Sequence, residues 1–373
     1  MKGPTLTSIR KSLYMGCLAI LGVSSASGFE KIGFQGGTLM GYNYGQNGVG
    51  WPSFGRDPLG NPGRGGFYIS QLRLQARIDF DSTFAGVATG NLLYADPQEL
   101  YLEKRWGEYR VKAGKFRGAG LKSATGADEF QRTTVNPPRY ARVWNHYKRL
   151  LNFRDFGIQV ERDFLRGDLR NRFFVHNANG ENVFNDEPSY PAGQNTQVLG
   201  LDYGLDWRIS PYTVWGGHIG AVADREWDDF IGEHEGWKAG YWFKSNAVVD
   251  ASLNHQLDMG RLHIFNEALI MLLRDLPNPS DSGATKNWGV SSLVRFEHSE
   301  RWGSYFRYEF FDHTDGIYAD DALHMFTLGA AWRPSPAAYP GLRVSTQYVR
   351  SYEEGFENTI PNDLFHCEMR MVF

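Results

Sequence analysis

Residues 68–80 read Tyr68-Ile69-Ser70-Gln71-Leu72-Arg73-Leu74-Gln75-Ala76-Arg77-Ile78-Asp79-Phe80. Leu72, Leu74, Ala76, Ile78 and Phe80 fall on one face of an extended chain. Gln71, Arg73, Gln75, Arg77 and Asp79 fall on the other. A period of two is the mark of a strand with one apolar and one polar face. The device recurs. In 302–311, Trp302, Ser304, Phe306, Tyr308 and Phe310 alternate with Arg307 and Glu309; in 341–350, Leu342, Val344, Thr346 and Tyr348 alternate with Arg343, Ser345 and Gln347. The last residues do the same, with Phe365, Cys367, Met369, Met371 and Phe373 set against His366, Glu368 and Arg370.

A water-soluble β-sandwich would also alternate in this way. Three features favour a barrel in a membrane. Connections between the alternating segments are by turns short and long. Aromatic residues gather near segment ends, among them Trp106, Trp207, Trp237, Trp288, Trp302 and Trp332, as an interfacial girdle requires. The last segment ends on an aromatic, Phe373, a pattern that barrel assembly machinery reads in Gram-negative bacteria. Overall hydropathy is low and aromatics make up 15% of the chain. No stretch approaches the 18 or so apolar residues of a spanning helix, whereas a barrel wall keeps mean hydropathy low because half its residues face the lumen.

Residues 1–28 read as a cleaved signal peptide: Lys2, Arg10 and Lys11, then apolar Leu13–Val23, then small residues from Ser24 to Gly28. Without it, 36 basic and 42 acidic residues remain, a net charge of −6, and Cys367 is the one cysteine left. Residues 29–373 then form a single barrel domain. Short turns are expected near 81–83, 106–108, 165–167, 209–211, 258–260, 299–301 and 334–340. Longer outer loops are expected at 45–65, 95–98, 117–152, 178–194, 224–235, 274–286, 314–321 and 353–362. The two sets interleave if 236–257 is one long strand, which gives an all-β, 16-stranded antiparallel transmembrane barrel with an even count.

The third long connection stands out. From Lys115 to Arg154 it carries Lys115, Arg117, Lys122, Arg132, Arg139, Arg142, Lys148, Arg149 and Arg154 against Asp128 and Glu129. That is +7, leaving −13 for the rest. Loops this long inside a compact domain are usually functional or disordered. One reading folds the loop into the barrel as a basic constriction, since rings of Arg and Lys suit anion pores and a charged concavity concentrates counter-ions. The other has its charges meet lipopolysaccharide phosphates outside. Arg73, Arg77, Arg170, Arg172, Arg295, Arg307 and Arg343 lie on polar strand faces and would extend an anion path along the lumen wall. The acidic run Asp224, Glu226, Asp228, Asp229, Glu233 and Glu235 reads as a solvated surface loop or a divalent-cation site. His176, His263 and His366 take lumen-side positions that ask nothing special of a histidine.

Catalytic patterns are wanting. His234-Glu235 has no second histidine at zincin spacing, Gly63-Arg64-Gly65-Gly66 lacks the P-loop ending, and no G-x-S-x-G elbow occurs. No cofactor and no nucleic-acid partner is implied. Expected partners are outer-membrane lipid and lipopolysaccharide, the barrel assembly machinery and small anionic solutes.

Between the fourth and seventh strands the sequence resembles the phosphate-selective porin O and P family. Glu99-Leu100-Tyr101-Leu102-Glu103 precedes Tyr109-Arg110-Val111-Lys112-Ala113-Gly114-Lys115-Phe116, similar to that family's "GKF" lead into its third loop. Arg154-Asp155-Phe156-Gly157-Ile158-Gln159-Val160 resembles its "RDxGxQ" strand, and Phe174-Val175-His176-Asn177-Ala178-Asn179-Gly180 its strand end. After "GKF" the chain reads Arg117-Gly118-Ala119-Gly120 where the family has a proline-phenylalanine-glycine step. The resemblance implies a homotrimeric, 16-stranded, anion-preferring porin whose third-loop Lys/Arg set and wall arginines bind phosphate. A passive channel with anion preference is the first expectation. The alternatives are a general or cation-selective porin, and a non-conducting barrel used for adhesion or structure.

Overall fold

The structure is a computed structural model of the full chain. It describes residues 30–45, 64–93, 96–125, 137–138, 140–141, 144–145, 148, 154–178, 199–223, 247–274, 285–315, 322–334, 341–353 and 363–373. Sixteen strands follow one another: β1 (Lys31–Gly45), β2 (Arg64–Asp79), β3 (Phe84–Asn91), β4 (Asp96–Trp106), β5 (Tyr109–Phe116), β6 (Asp155–Phe164), β7 (Leu169–His176) and β8 (Leu199–Ser210) in the first half. The second half holds β9 (Thr213–Ala223), β10 (Ala247–Met259), β11 (Leu262–Arg274), β12 (Thr285–Glu297), β13 (Trp302–Asp315), β14 (Leu323–Trp332), β15 (Arg343–Glu353) and β16 (Leu364–Val372). Each strand pairs with its sequence neighbours, and β1 pairs with β16, so the sheet closes on itself. Every pairing is antiparallel, as a chain of hairpins dictates.

The alternation read from the sequence sets the two faces. On β13, Phe306 is 43% exposed while Arg307 and Glu309 beside it are almost wholly buried. On β2, Leu72 and Leu74 are exposed and Arg73 between them is buried. Apolar residues such as Leu100, Ile158, Ile219, Leu253 and Leu328 face outward along the wall, while Glu103, Gln159, Asp202, Glu267 and Gln347 are buried inside. A protein in water would have this order reversed. An apolar outer belt around a polar interior is the solution demanded by lipid, where a closed barrel leaves no backbone donor or acceptor unpaired. Trp106, Trp207 and Trp302 lie exposed where strands meet short turns.

Six short turns fall where the sequence places them, between β2 and β3, β4 and β5, β6 and β7, β8 and β9, β10 and β11, and β12 and β13; of the seventh, expected at 334–340 between β14 and β15, residues 335–340 lie outside the described residues. Gly107 and Gly260 sit in two of them with φ of +56° and +61°, conformations that cost an L side chain energy and glycine little. Of the expected long strand 236–257, residues 236–246 lie outside the described residues; from Ala247 onward it is β10, with Ala247 paired to Ala223 on β9 and Arg274 on β11. One boundary needs correction. Asp96 and Pro97 already pair with β3 across a bulge at Thr89/Gly90, so the second long connection ends before 96. The expected signal peptide and the acidic run 224–235 lie outside the described residues.

Phe373 completes the seam: its N–H donates to Gly36 O (2.9 Å) and its carbonyl accepts from Gly36 N–H (2.7 Å). A side chain at position 36 would run into the Phe373 ring.

The lipid-facing wall can be tested directly. Replacing outward Leu328, 63% exposed on β14, with Arg should destabilise the barrel by roughly 2–4 kcal/mol near the bilayer midplane. The lumen-side change Thr327→Arg would not pay this lipid penalty. Urea refolding into vesicles measures both, and equal effects would contradict the assignment of faces.

Candidate functional site

The connection between β5 and β6 is the longest in the first half of the chain, and its described residues touch the inner wall of the opposite side. A short helix, α1 (Lys122–Thr125), opens it. Glu267 on β11 accepts from the backbone N–H of Lys122 (2.7 Å) and Ser123 (3.2 Å) and from the Tyr140 hydroxyl (3.1 Å). One carboxylate thus satisfies donors at the helix start that the helix cannot pair itself. Leu121, Ala124, Tyr140, Ala141 and Trp144 pack with Val248, Leu269, Met271, Leu273 and Phe311, all buried, in an apolar cluster on β10, β11 and β13. Nearer β5, Phe116 and Ala119 pack on Phe174 and Tyr101.

Beside this cluster lies a group of buried charges. Lys148 Nζ lies 2.6 Å from Asp202 Oδ1 on β8 and 3.1 Å from Asp250 Oδ2 on β10. His218 on β9 sits between the same two acids, Nε2 3.0 Å from Asp202 Oδ1 and Nδ1 3.1 Å from Asp250 Oδ1. His176 on β7 joins Asp202 (Nε2–Oδ2 3.0 Å) to Asp155 on β6 (Nδ1–Oδ2 2.7 Å). Trp144 Nε1 donates to Asp250 Oδ1 (2.8 Å), and Asn177, with its amide nitrogen turned inward, donates to Asp155 Oδ1 (2.9 Å). The side chains of Lys148, Asp155, His176, Asp202, His218 and Asp250 are at most 1% exposed. Charges so buried are tolerable only when paired, and removing one partner is far costlier than removing both. Burial opposes the Lys148 charge, but Asp250 and Asp202 outweigh it and hold the amine above its ordinary pKa. Lys122 goes the other way: burial pulls it below the ordinary lysine value although Asp206 is at 2.9 Å. Arg172 shares that carboxylate at 2.7 Å.

Glycines make room for this packing. Gly200 and Gly204 flank Asp202 on its own face, and Gly216 and Gly220 flank His218. A Cβ on Gly220 would collide with Asp202 Oδ1 and stand 2.6 Å from Lys148 Nζ; one on Gly200 would strike the His176 ring. The pattern of an ionisable residue between two glycines at i−2 and i+2, or i−4-spaced on the same face, could have marked Asp202 and His218 from sequence alone. His176, expected to need no special role, is instead a link in this network.

Toward the turn end the wall changes character. On β2 to β7, Arg77, Arg105, Arg110 and Arg170 pair with Asp79 (2.8 Å), Glu103 (3.1 Å), Glu161 (3.1 Å) and Asp163 (2.7 Å) respectively. On β12 to β16, Arg307 pairs with Glu309 (2.8 Å), Arg333 approaches Glu297 (3.9 Å), and Arg295 and Arg370 contact Glu297 and Glu368. Arg343 stands directly across the ladder from Arg370. That arc holds Arg295, Arg307, Arg333, Arg343 and Arg370 against Glu297, Glu309 and Glu368.

Of the third-connection residues singled out by sequence, Lys122 and Lys148 are brought to wall carboxylates, and Lys115 is buried at the end of β5. Arg117 follows directly after the end of β5; Arg132, Arg139, Arg142 and Arg149 lie outside the described residues. Arg73 is buried on the inner face of β2.

Gly220→Val should unseat Lys148 without breaking the wall. Limited proteolysis should then cut within 117–154 several-fold faster, while the heat-modifiable migration of a folded barrel persists. Unchanged cleavage would mean that the buried charges do not hold the connection.

No protein-family model matches the chain, and no curated protein sequence does. Solved structures do. OmpT, an outer membrane protein of Vibrio cholerae, aligns over 93% of this chain and 100% of its own with a TM-score of 0.63 at 11% identity. The outer membrane channel DcaP of Acinetobacter baumannii aligns over 93% and 100% with a TM-score of 0.60 at 11% identity. OmpF of Salmonella typhi, in complex with daunomycin, aligns over 92% and 98% with a TM-score of 0.58 at 9% identity. Identities this low speak for the fold alone: the chain has the closed, antiparallel β-barrel architecture of these outer-membrane proteins, with an apolar belt on its outer face.

Proposed function

We propose that the chain is a porin: a passive channel through which small hydrophilic solutes cross the outer membrane, with preference for anions. The observation that carries the preference is the arc of five arginines against three glutamates on β12 to β16, with Arg343 and Arg370 opposed across one ladder. Like charges directly opposite each other cost stability in a sheet. A low-dielectric wall with such an excess concentrates anions beside it. Lys122 and Lys148 contribute less to selectivity in this reading, because Asp206, Asp202 and Asp250 neutralise them. Phosphate-like anions are the solutes suggested by the resemblance to the phosphate-selective porin O and P family, whose motifs fall in order on β4, β5, β6 and β7.

The reading is non-enzymatic and carries no catalytic residue. A homotrimer fits it. A structure of OmpT of Vibrio cholerae is described as a trimer form, and Gly86, Ala88 and Gly90 make the outward face of β3 flat enough for close approach. Lipopolysaccharide around the long connections, assembly through the C-terminal strand and export by residues 1–28 complete the proposal. A second reading, a barrel that conducts little, is favoured by one observation: Tyr140, Trp144 and Lys148 are wholly buried against the inner wall.

The reversal potential of the purified protein in a planar bilayer under a potassium chloride gradient tests the preference. Arg343→Gln combined with Arg370→Gln should lower the chloride-to-potassium permeability ratio by roughly twofold or more, since fixed wall charge sets ion preference. An unchanged ratio would remove this arc from the mechanism.

A further inference from the structure

Asp202, His218 and Asp250 come from three consecutive strands, and a donor atom of each lies within 4.8 Å of the others. The Lys148 ammonium is already seated against two of them, 2.6 Å from Asp202 Oδ1 and 3.1 Å from Asp250 Oδ2. This point in the wall therefore holds a cation, delivered on a side chain of the third connection. The space is kept for it: a Cβ on Gly220 would stand 2.6 Å from Lys148 Nζ and 2.9 Å from Asp250 Oδ2. We propose that Asp202, His218 and Asp250 form a divalent transition-metal site for which Lys148 is the built-in competitor, so that metal binding and docking of Lys148 exclude each other.

The donor set suits the ligand. One imidazole and two carboxylates are familiar ligands of Zn²⁺ and of Co²⁺, which replaces it. Partners that orient ligands are also present. Trp144 Nε1 holds Asp250 Oδ1 and leaves Oδ2 toward the cation, and His176, fixed through Nδ1 to Asp155, reaches Asp202 Oδ2. Such outer contacts are what tune metal affinity.

Charge balance explains why either cation fits. Carboxylate oxygens only accept hydrogen bonds, and each ring nitrogen of His176 and His218 faces one. Both rings meet both partners favourably only when doubly protonated. Three carboxylates are then matched by one ammonium and two imidazolium charges. A metal ion that displaces Lys148 must also displace one proton from His218, since a ligating ring nitrogen carries none. Three carboxylates then face a divalent ion and the His176 imidazolium, and the site is neutral again; the ammonium keeps its proton and moves into the aqueous lumen. Because the two occupants compete, metal should loosen the third connection by the same factor by which docked Lys148 weakens metal binding.

The test is a Co²⁺ titration of the full-length protein in detergent, followed by the visible absorption bands of the ligated ion. It does not depend on conduction, so its failure is distinct from failure of the channel reading. Lys148→Met should bind Co²⁺ at least about tenfold tighter than the unaltered protein, within the usual range of coupling between competing sites. Adding His218→Gln to Lys148→Met should cost at least about tenfold again. Zn²⁺ should bleach the bands. Lys148→Gln serves the same comparison if the methionine variant does not assemble. Co²⁺ binding no tighter in the Lys148 variants than in the unaltered protein would overturn the proposal, as would equal binding after loss of His218.

Discussion

Pairing of β1 with β16 is the contact on which everything else rests. A sheet edge in lipid would leave a row of backbone donors and acceptors without partners, each costing several kcal/mol. Closure removes both edges at once, and the ladder from Gly37–Val372 to Gly45–Leu364 carries it. The final pair, Gly36 with Phe373, seals the turn end. Once the ring is closed, the pleat decides the rest. One face of every strand must be apolar, and the other is free to be charged because it meets water or other charges inside.

That freedom is used differently at two levels of the lumen. Near the third connection, acids dominate the wall and the connection brings the bases. Asp202 and Asp250 take Lys148, Asp206 takes Lys122, and Glu267 takes backbone and hydroxyl donors. Ion pairs so deeply buried add little net stability over an apolar core, but they punish any arrangement that separates them. They fix where the connection sits. Toward the turn end arginines and acids pair along the wall, and exposure divides them: on β2 to β7, Arg77, Arg105 and Arg170 are about two-fifths to one-half accessible, whereas on β13 and β16, Arg307 and Arg370 are almost wholly buried beside Glu309 and Glu368.

The wall was legible in the sequence because its signal is local. Alternation in 68–80, 302–311 and 341–350 places each side chain by parity alone, and the short turns among the described residues follow from where parity breaks. The start of β4 was not legible: Asp96 and Pro97 join the β3 ladder across a bulge at Thr89/Gly90, which only the register reveals. The basic excess of 117–152 was plain, but its consequence was not. A count of charges cannot tell a lysine that lines a pore from one neutralised by Asp202 and Asp250, which are 54 and 102 residues further along the chain. The glycines spaced around Asp202 and His218 were the available clue, since a wall stripped of side chains beside an ionisable group invites something to pack there.

Swelling of liposomes that contain the purified protein tests the central claim of a water-filled, anion-preferring passage most directly. Small uncharged sugars should enter, and organic anions should enter faster than cations of equal size, at rates proportional to concentration. Liposomes that stay unswollen in every solute would contradict a channel and leave a barrel closed by its own third connection.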